Sequence, residues 1–307
     1  FKQKTAYEIY QCDWSSDVCS SDLALRTLGC ENVCSFFTLA WKWPERFLPH
    51  YCAEVPSKVV ADAEQILKTS ALWSDAASMR EYVEQILWRL DPERYALSAP
   101  TTLPIYFPPD LVRLGDDEVY VDCGGFDGDT ARDFLGVVHD KFSRIEIVEP
   151  DPSNVSKIEA WRATLDPATG ARISVHHVAL GHEPGIVRFQ SNAAVDSRID
   201  ADGTMEIRCE TLDTLLPSST PTILKMDIEG AEESAVLGAR QLIAQHRPIL
   251  TICLYHAQHH IWRIPALISR FAPNYRFHLK NHGLDAWELV LYAIPRSEEH
   301  TSELQSH

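Results

Sequence analysis

No run of apolar residues in this chain approaches the roughly 20 needed to cross a bilayer, and no secretory leader pattern opens it. Basic charge is in deficit: 28 Lys and Arg stand against 44 Asp and Glu, a formal net charge of −16. A nucleic-acid partner requires a basic stripe to neutralise phosphates, and none is visible, which argues against nucleic acid as the main partner. There is no C-x-x-C, no internal repeat and no low-complexity tract within the native region. Without paired spacing, Cys30, Cys34, Cys52, Cys123, Cys209 and Cys253 read as buried free thiols of a protein in the reducing cytoplasm. What is present is 45% hydrophobic content, enough for a substantial core.

Both ends differ in character from the rest. Residues Phe1 to Leu23 and Arg296 to His307 resemble translations of adapters used in sequencing libraries, and they are excluded from fold reasoning. The expected organisation is therefore 1–23 and 296–307 as adapter-derived ends, 24–109 as a helical appendage with linker, and 110–295 as the ligand-binding domain.

In the appendage, Val59, Ala63, Ile66 and Leu67 share a helical face, as do Met79, Tyr82, Val83, Ile86 and Leu90. Asp75 is placed to cap the second helix and Asp91-Pro92 to stop it. Such an appendage could cover a ligand site or mediate dimerisation. The stretch from Ala99 to Pro109, with Pro100, Pro104, Pro108 and Pro109, reads as a linker.

Beyond it, short apolar runs alternate with helical stretches, the pattern of a doubly wound, mostly parallel sheet in an α/β protein. Strands are predicted at Val119–Cys123, Arg144–Val148, Ile173–Ala179, Thr222–Asp227, Pro248–Tyr255, Arg276–His278 and Glu288–Ile294. Helices are predicted at Thr130–His139, Ser153–Thr164, Ala231–Gln245 and Ile261–Phe271. Val187–Gln190 and Glu206–Arg208 read as an extra hairpin pair, and the last two strands as an antiparallel closing hairpin.

The most informative stretch is EVYVDCGGFDGDT, Glu118 to Thr130. An apolar strand ends at Asp122, and Gly124, Gly125 and Gly128 then allow backbone to approach a ligand before a helix begins. A dinucleotide would set its pyrophosphate on that helix N-terminus. Asp127 and Asp129 stand there instead, and Phe126 replaces the middle glycine of the Rossmann pattern. Two carboxylates suit a ligand without phosphates and with a positive centre, such as the sulfonium of S-adenosylmethionine.

Other acids fall at strand ends, where doubly wound sheets bind ligands. Glu149, in IEIVEPDPSN, can accept two hydrogen bonds from ribose hydroxyls, or it can cap a helix. Asp122 can hold the turn through backbone amides or meet the amino-acid end of a cofactor. In LKMDIEGAEESAVLGA, Asp227 and Glu229 are two apart, so strand alternation puts both on one face beside the cofactor; a charge pair stabilised by the helix dipole is the plainer alternative. His256, His259 and His260 follow the next strand, but no Cys, Asp or Glu joins them at ligand spacing, so no metal is expected. One of them could act as a general base.

YVDCGGFDGDT, IEIVEPDPSN, VALG, LDTLL, ILKMDIEGAEESAVLGA, PILTICLYH, IWRIPALI and WELVLYA, in this order from about Val119 to Ala293, resemble the FkbM-type S-adenosylmethionine-dependent methyltransferases. The resemblance implies a class I methyltransferase (Rossmann-like) fold with a seven-stranded sheet. It implies cofactor binding by Asp122, Gly124, Gly125, Gly128, Asp129, Thr130, Glu149 and Asp151. The segment Lys225 to Gly230 would form the active-site edge. Asp227 or His256 is expected to act as base, with Glu229 as orienter. The expected reaction is O-methylation of a hydroxyl on a sugar, polyketide or related metabolite. Two other readings stay open: a methyltransferase-like binding module without turnover, and a nicotinamide-dependent oxidoreductase, which Asp127 and Asp129 disfavour.

Overall fold

The computed structural model describes residues 27–29, 36–92, 94–139, 141–190, 198–199, 203–284 and 286–296. The segment 1–23, residues 297–307, Cys30, Cys34 and most of the 196–203 loop lie outside them. Two compact units divide between Leu48 and Pro49. In the first, α1 (Phe36–Lys42) leads through Trp43 into the short α2 (Pro44–Phe47), which Pro44 opens from a position where no amide hydrogen bond is required.

The second unit is built on a seven-stranded sheet. Its strands are β1 (Glu118–Cys123), β2 (Phe142–Val148), β3 (Ile173–His176), β8 (Ile223–Met226), β9 (Ile249–Cys253), β10 (Tyr275–Asn281) and β11 (Leu289–Pro295). Their order is β10-β11-β9-β8-β1-β2-β3, parallel except for β11, which runs antiparallel to both its neighbours. This is the expected class I methyltransferase arrangement, α/β and doubly wound. The central strands are buried on both faces: Val121, Ile145, Ile147, Leu224 and Ile252 are all fully inaccessible, which explains why they read as continuous apolar runs. The order reverses at β1, and ligand-sized space at such a reversal opens at the carboxyl ends of the strands.

Helices α6 (Asp129–Val138), α7 (Pro152–Arg162), α10 (Glu232–Gly238), α11 (Arg240–His246) and α12 (His260–Phe271) connect or flank these strands, with the short α8 (Pro167–Gly170) and α9 (Leu212–Leu215) between them. The single helix expected over 231–245 is two. It breaks at Ala239, and Asp213 caps the second half from outside by accepting from the amides of Gln241 and Leu242. The strand expected over 173–179 also divides. After β3 the chain leaves the main sheet, and β4 (Ala179–Leu180) joins β7 (Met205–Glu210), β5 (Gly185–Gln190) and β6 (Arg198–Ile199) in a four-stranded sheet. The pairing of β5 with β7 is the extra hairpin, antiparallel as expected.

The helices α3 (Pro56–Ala61), α4 (Ala63–Ser70) and α5 (Ala76–Leu90) belong to this second unit. Asp75 caps α5 by accepting from the Ser78 amide, and it also meets His278 of β10 at 2.6 Å. Ser74 and Ser78 accept from the amides of Phe277 and Leu279, so this segment occupies the open edge of the sheet. The predicted apolar faces are only partly correct. Val59 and Ile66 are buried, but Leu67 is 72% exposed, because the chain breaks between α3 and α4 at Asp62 and the four residues share no single helix. On α5 the inward face carries Ser78, Tyr82, Gln85, Ile86 and Arg89, with Ser78 accepting from the Leu279 amide of β10, and Val83 faces outward. Among the described residues no helix is long and apolar enough to cross a membrane.

Candidate active site

The turn after β1 is fixed by space as much as by conformation. Gly124 and Gly128 have φ of +82° and +89°, values that favour glycine. A Cβ on Gly124 would lie 1.8 Å from the carbonyl oxygen of Asp227, so the turns after β1 and β8 touch through a glycine. The amides of Gly124 and Gly125 both donate to the Val148 carbonyl, anchoring the turn to the end of β2. Gly125 is pressed against Ile147 and Gly128 against the Trp161 ring, so these two glycines serve packing and stand outside the cavity wall.

A cavity of about 340 Å³ opens at this point. Of the residues predicted from sequence, Gly124, Asp129, Thr130, Glu149, Asp227 and Glu229 line it. Asp122 lies beneath the floor, fully buried: it accepts from the Thr130 hydroxyl at 2.5 Å and pairs with Lys225 at 3.1 Å. It therefore holds the turn through side chains, not through the backbone amides expected. Asp151 is a helix cap. Its carboxylate accepts from the amides of Ser153 and Asn154, and it is not part of the cavity lining. Asp127, expected to share the helix N-terminus with Asp129, is half-buried and paired with Arg132 at 2.5 Å, and of the two only Asp129 lines the cavity.

Glu149 accepts from the Phe126 amide on one oxygen and from the Asp151 amide on the other, both at 2.9 Å. A carboxylate has about four acceptor positions, so each oxygen keeps capacity for a ligand hydroxyl. Burial pushes its pKa up to about 7, against the lowering effect of those two amides. Val178, Leu180 and Phe189 supply an apolar wall near it.

At the other turn, β8 ends at Met226, before Asp227. Asp227 and Glu229 do not reach the cavity by strand alternation. Glu229 adopts φ +54° and Gly230 φ +100°, so a left-handed turn delivers both acids. That conformation costs a non-glycine residue roughly 1–2 kcal/mol, and Glu232 secures it. Fully buried at the start of α10, Glu232 accepts from the amides of Ile228 (2.8 Å) and Gly230 (3.1 Å) and meets His256 Nδ1 at 2.7 Å.

His256 Nε2 lies 3.4 Å from Asp227 and 3.6 Å from Glu229. Burial works against its charge, but Glu232 first, then Asp227 and Glu229, outweigh it and hold the pKa up to about 10. The same contact holds Glu232 down to about 2 despite its burial. An imidazolium has no free pair with which to accept a proton, so the expected role of His256 as base does not fit this environment.

Four participants were not predicted as individual site residues. Tyr106 donates to Asp227 Oδ2 at 2.7 Å; it comes from the proline-rich segment read only as a linker. Lys225 donates to the Gly124 carbonyl at 2.6 Å and lines the cavity, in a strand whose apolar neighbours masked it. Glu288 also lines the cavity, at φ +54° in the β10–β11 connection, with its pKa raised to about 7 by burial and then by Asp227. Glu232 looks in sequence like any acid in a first helical turn.

The metal argument also changes. Acids absent at sequence spacing arrive from α10, giving two groups with ligand atoms within 4.8 Å of one another: Asp227, Glu232 and His256, and Glu233, His259 and His260.

A profile of the Methyltransferase FkbM domain matches residues 122–283. The crystal structure of a methyltransferase FkbM from Methylobacillus flagellatus superposes with a TM-score of 0.67 at 26% identity, covering 89% of this chain and 65% of that one. The chain thus spans slightly less than two thirds of that protein. A precorrin-6y C5,15-methyltransferase from Geobacter metallireducens aligns at 9% identity and TM-score 0.38, over 64% of this chain and 100% of that one. No curated protein matches. The profile covers more than half of the chain, from Asp122 in β1 into the β10–β11 connection, and most of the cavity lining lies within it, so the chain belongs to the FkbM methyltransferase domain family.

Proposed function

We propose that the protein is an S-adenosylmethionine-dependent methyltransferase acting on a hydroxyl of a sugar, polyketide or related metabolite. The observation that carries this is the charge of the cavity. Asp129, Glu149, Asp227, Glu229 and Glu288 line it against Lys225 alone, which favours a ligand with a cationic centre and disfavours a pyrophosphate. The residues fit the cofactor in other respects. Glu149 keeps acceptor capacity for ribose hydroxyls, and the apolar wall suits a heterocycle. Asp129 with Thr130 and Lys225 offers partners for an amino-acid end, and the acids of the second turn suit a sulfonium. When bound, S-adenosylmethionine would supply an electrophilic methyl to the acceptor oxygen and leave as the neutral sulfide, and the chain's part would be to take the hydroxyl proton on a base.

In this reading Asp227 is that base. The Tyr106 hydroxyl, and at 3.5 Å the Tyr255 hydroxyl, fix its orientation. His256, held as a cation, positions Asp227 and Glu229 without taking the proton. A cytoplasmic setting belongs to the same reading, supported by Cys52, Cys123, Cys209 and Cys253 as buried free thiols.

The test is Asp227→Asn, assayed by S-adenosylhomocysteine release on a turned-over acceptor. A fall in kcat of about 10²–10⁴-fold is expected, with a much smaller loss of cofactor affinity as one of the cavity's acids is neutralised. Near-normal turnover would remove Asp227 as the base. Mass spectrometry that placed the new methyl on nitrogen or carbon would remove the O-methylation.

A further inference from the structure

Two groups of acids and histidines bring ligand atoms within 4.8 Å of one another, and they differ in what is already satisfied. In Asp227, Glu232 and His256, both ring nitrogens of the histidine face acids: Nδ1 meets Glu232 at 2.7 Å, and Nε2 stands 3.4 Å from Asp227 and 3.6 Å from Glu229. Glu232 also takes the amides of Ile228 and Gly230. That group is a closed ion-pair network.

The group Glu233, His259 and His260 is not closed. His260 is 1% exposed, yet among the described residues neither of its ring nitrogens makes a hydrogen bond; Nδ1 has only Glu232, 3.4 Å away. A neutral imidazole carries one N–H and one lone pair. An N–H turned to Glu232 leaves the lone pair on the other nitrogen without a partner, and unmet buried groups of this kind are rare. A metal-bound histidine has this arrangement, with its second nitrogen facing a carboxylate.

The separations and the access suit an ion. Glu233 Oε2 and His259 Nε2 stand 3.3 Å apart. Two ligands on one tetrahedral zinc, at bond lengths of about 2.0–2.2 Å, lie roughly 3.4 Å apart, so this pair needs almost no rearrangement to share an ion. The Glu233 and His259 side chains are 33% and 39% exposed, which gives an ion a way in and room for water at an open position. An ion pair of a charged His259 with Glu233 would explain their contact alone. It leaves out His260, whose ring lies edge-on to that of His259 at 5.0 Å. Two imidazoles and a carboxylate suit zinc and its first-row neighbours, whereas magnesium and calcium require oxygen ligands.

We propose that Glu233, His259 and His260 hold a divalent transition metal of the zinc class, with Glu232 beside His260 as its outer partner. Glu233 stands in the first turn of α10 and His260 opens α12, so the ion ties these two helices together next to the Glu232–His256 pair. None of the three residues lines the active-site cavity, and the proposal does not depend on the reaction carried out there.

Calorimetric titration of the full chain, freed of metal with a chelator, tests this with Zn²⁺ and Mg²⁺ as probes. One Zn²⁺ per chain is expected, with a higher melting temperature once it is bound and no comparable binding of Mg²⁺. His259→Ala and Glu233→Gln should each weaken Zn²⁺ binding by at least about tenfold and remove the gain in melting temperature. His139→Asn, at an exposed histidine that ends α6, should leave both unchanged. Metal-free melting curves establish that the variants fold. No Zn²⁺ bound by wild type, Zn²⁺ affinity unchanged in either His259→Ala or Glu233→Gln, or Mg²⁺ bound as tightly as Zn²⁺ would each overturn the proposal.

Discussion

The two turns that meet at the head of the sheet are built on opposite principles. The turn after β1 is held by what its residues lack: Gly124 and Gly128 take left-handed backbone, and at Gly124 even a methyl group would overlap the neighbouring chain. The turn after β8 is held by buried charge. A strained Glu229 is kept in place because Glu232 binds two of the turn's amides and pairs with the His256 cation. The first kind of turn is made rigid chiefly by sterics, with the buried Asp122–Lys225 pair beneath it. The second is rigid only while its charges persist, and that suits a place where a proton must be handled.

The difference can be broken most severely at the point of contact. Gly124→Ala places a Cβ 1.8 Å from the Asp227 oxygen, and no rotamer relieves a backbone overlap. Both turns must shift, and turnover should fall by roughly 100-fold or more. Steady-state kinetics together with a melting curve measure this; a wild-type rate would show that the turns do not need their contact.

Glu232→Gln attacks the charge-built turn alone. Removing one partner of a buried pair costs about 3–5 kcal/mol, to be read from denaturant unfolding. The sign of the pH dependence follows from the shifts. His256, raised from 6.5 to about 10, contributes stability that is complete below pH 6.5 and lost as pH rises through 10. Glu232, lowered from 4.5 to about 2, contributes stability present above 4.5 and lost as pH falls through 2. The variant should therefore lose the alkaline transition, which NMR titration of His256 would detect. An unaltered titration would mean that Glu232 does not hold the cation.

A smaller effect is expected from Glu149, whose pKa near 7 makes cofactor binding the pH-sensitive property of the glycine-built side. If the ligand requires the carboxylate, its Kd should rise about fivefold between pH 7 and pH 6 as one proton must be released. Calorimetry in two buffers of different ionisation heat would count that proton, and a flat profile would argue against a ribose contact.

The smallest separates a cap from a ligand group. Asp151→Ala should cost about 1 kcal/mol of stability as the N-cap of α7 is lost, with S-adenosylmethionine affinity nearly constant. A large loss of affinity would return Asp151 to the cofactor site.

Much of the fold was legible because its signals are local. Strand cores are runs of apolar residues, Asp75 announces a cap, and the doubly wound order follows from alternation of strand and helix. Where the reading failed, the deciding contact was distant. Asp213 splits the helix after Glu232 from 28 residues away, and the sheet edge at β10 decides which face of α5 turns inward. The glycine-built side of the cavity was visible in part, since Gly124, Asp129, Thr130 and Glu149 do line it.

By itself, then, the sequence determined the family, the sheet and the acids at its strand ends, because backbone conformation and burial are set by residue type and spacing. Only the tertiary structure decided which of those acids face the cavity. It brought Tyr106 out of a proline-rich segment onto Asp227, gathered Glu232, Asp227 and Glu229 around His256, and turned an expected base into a cation. Protonation depends on the charges within a few ångströms, and those arrive from parts of the chain that spacing along the sequence does not connect.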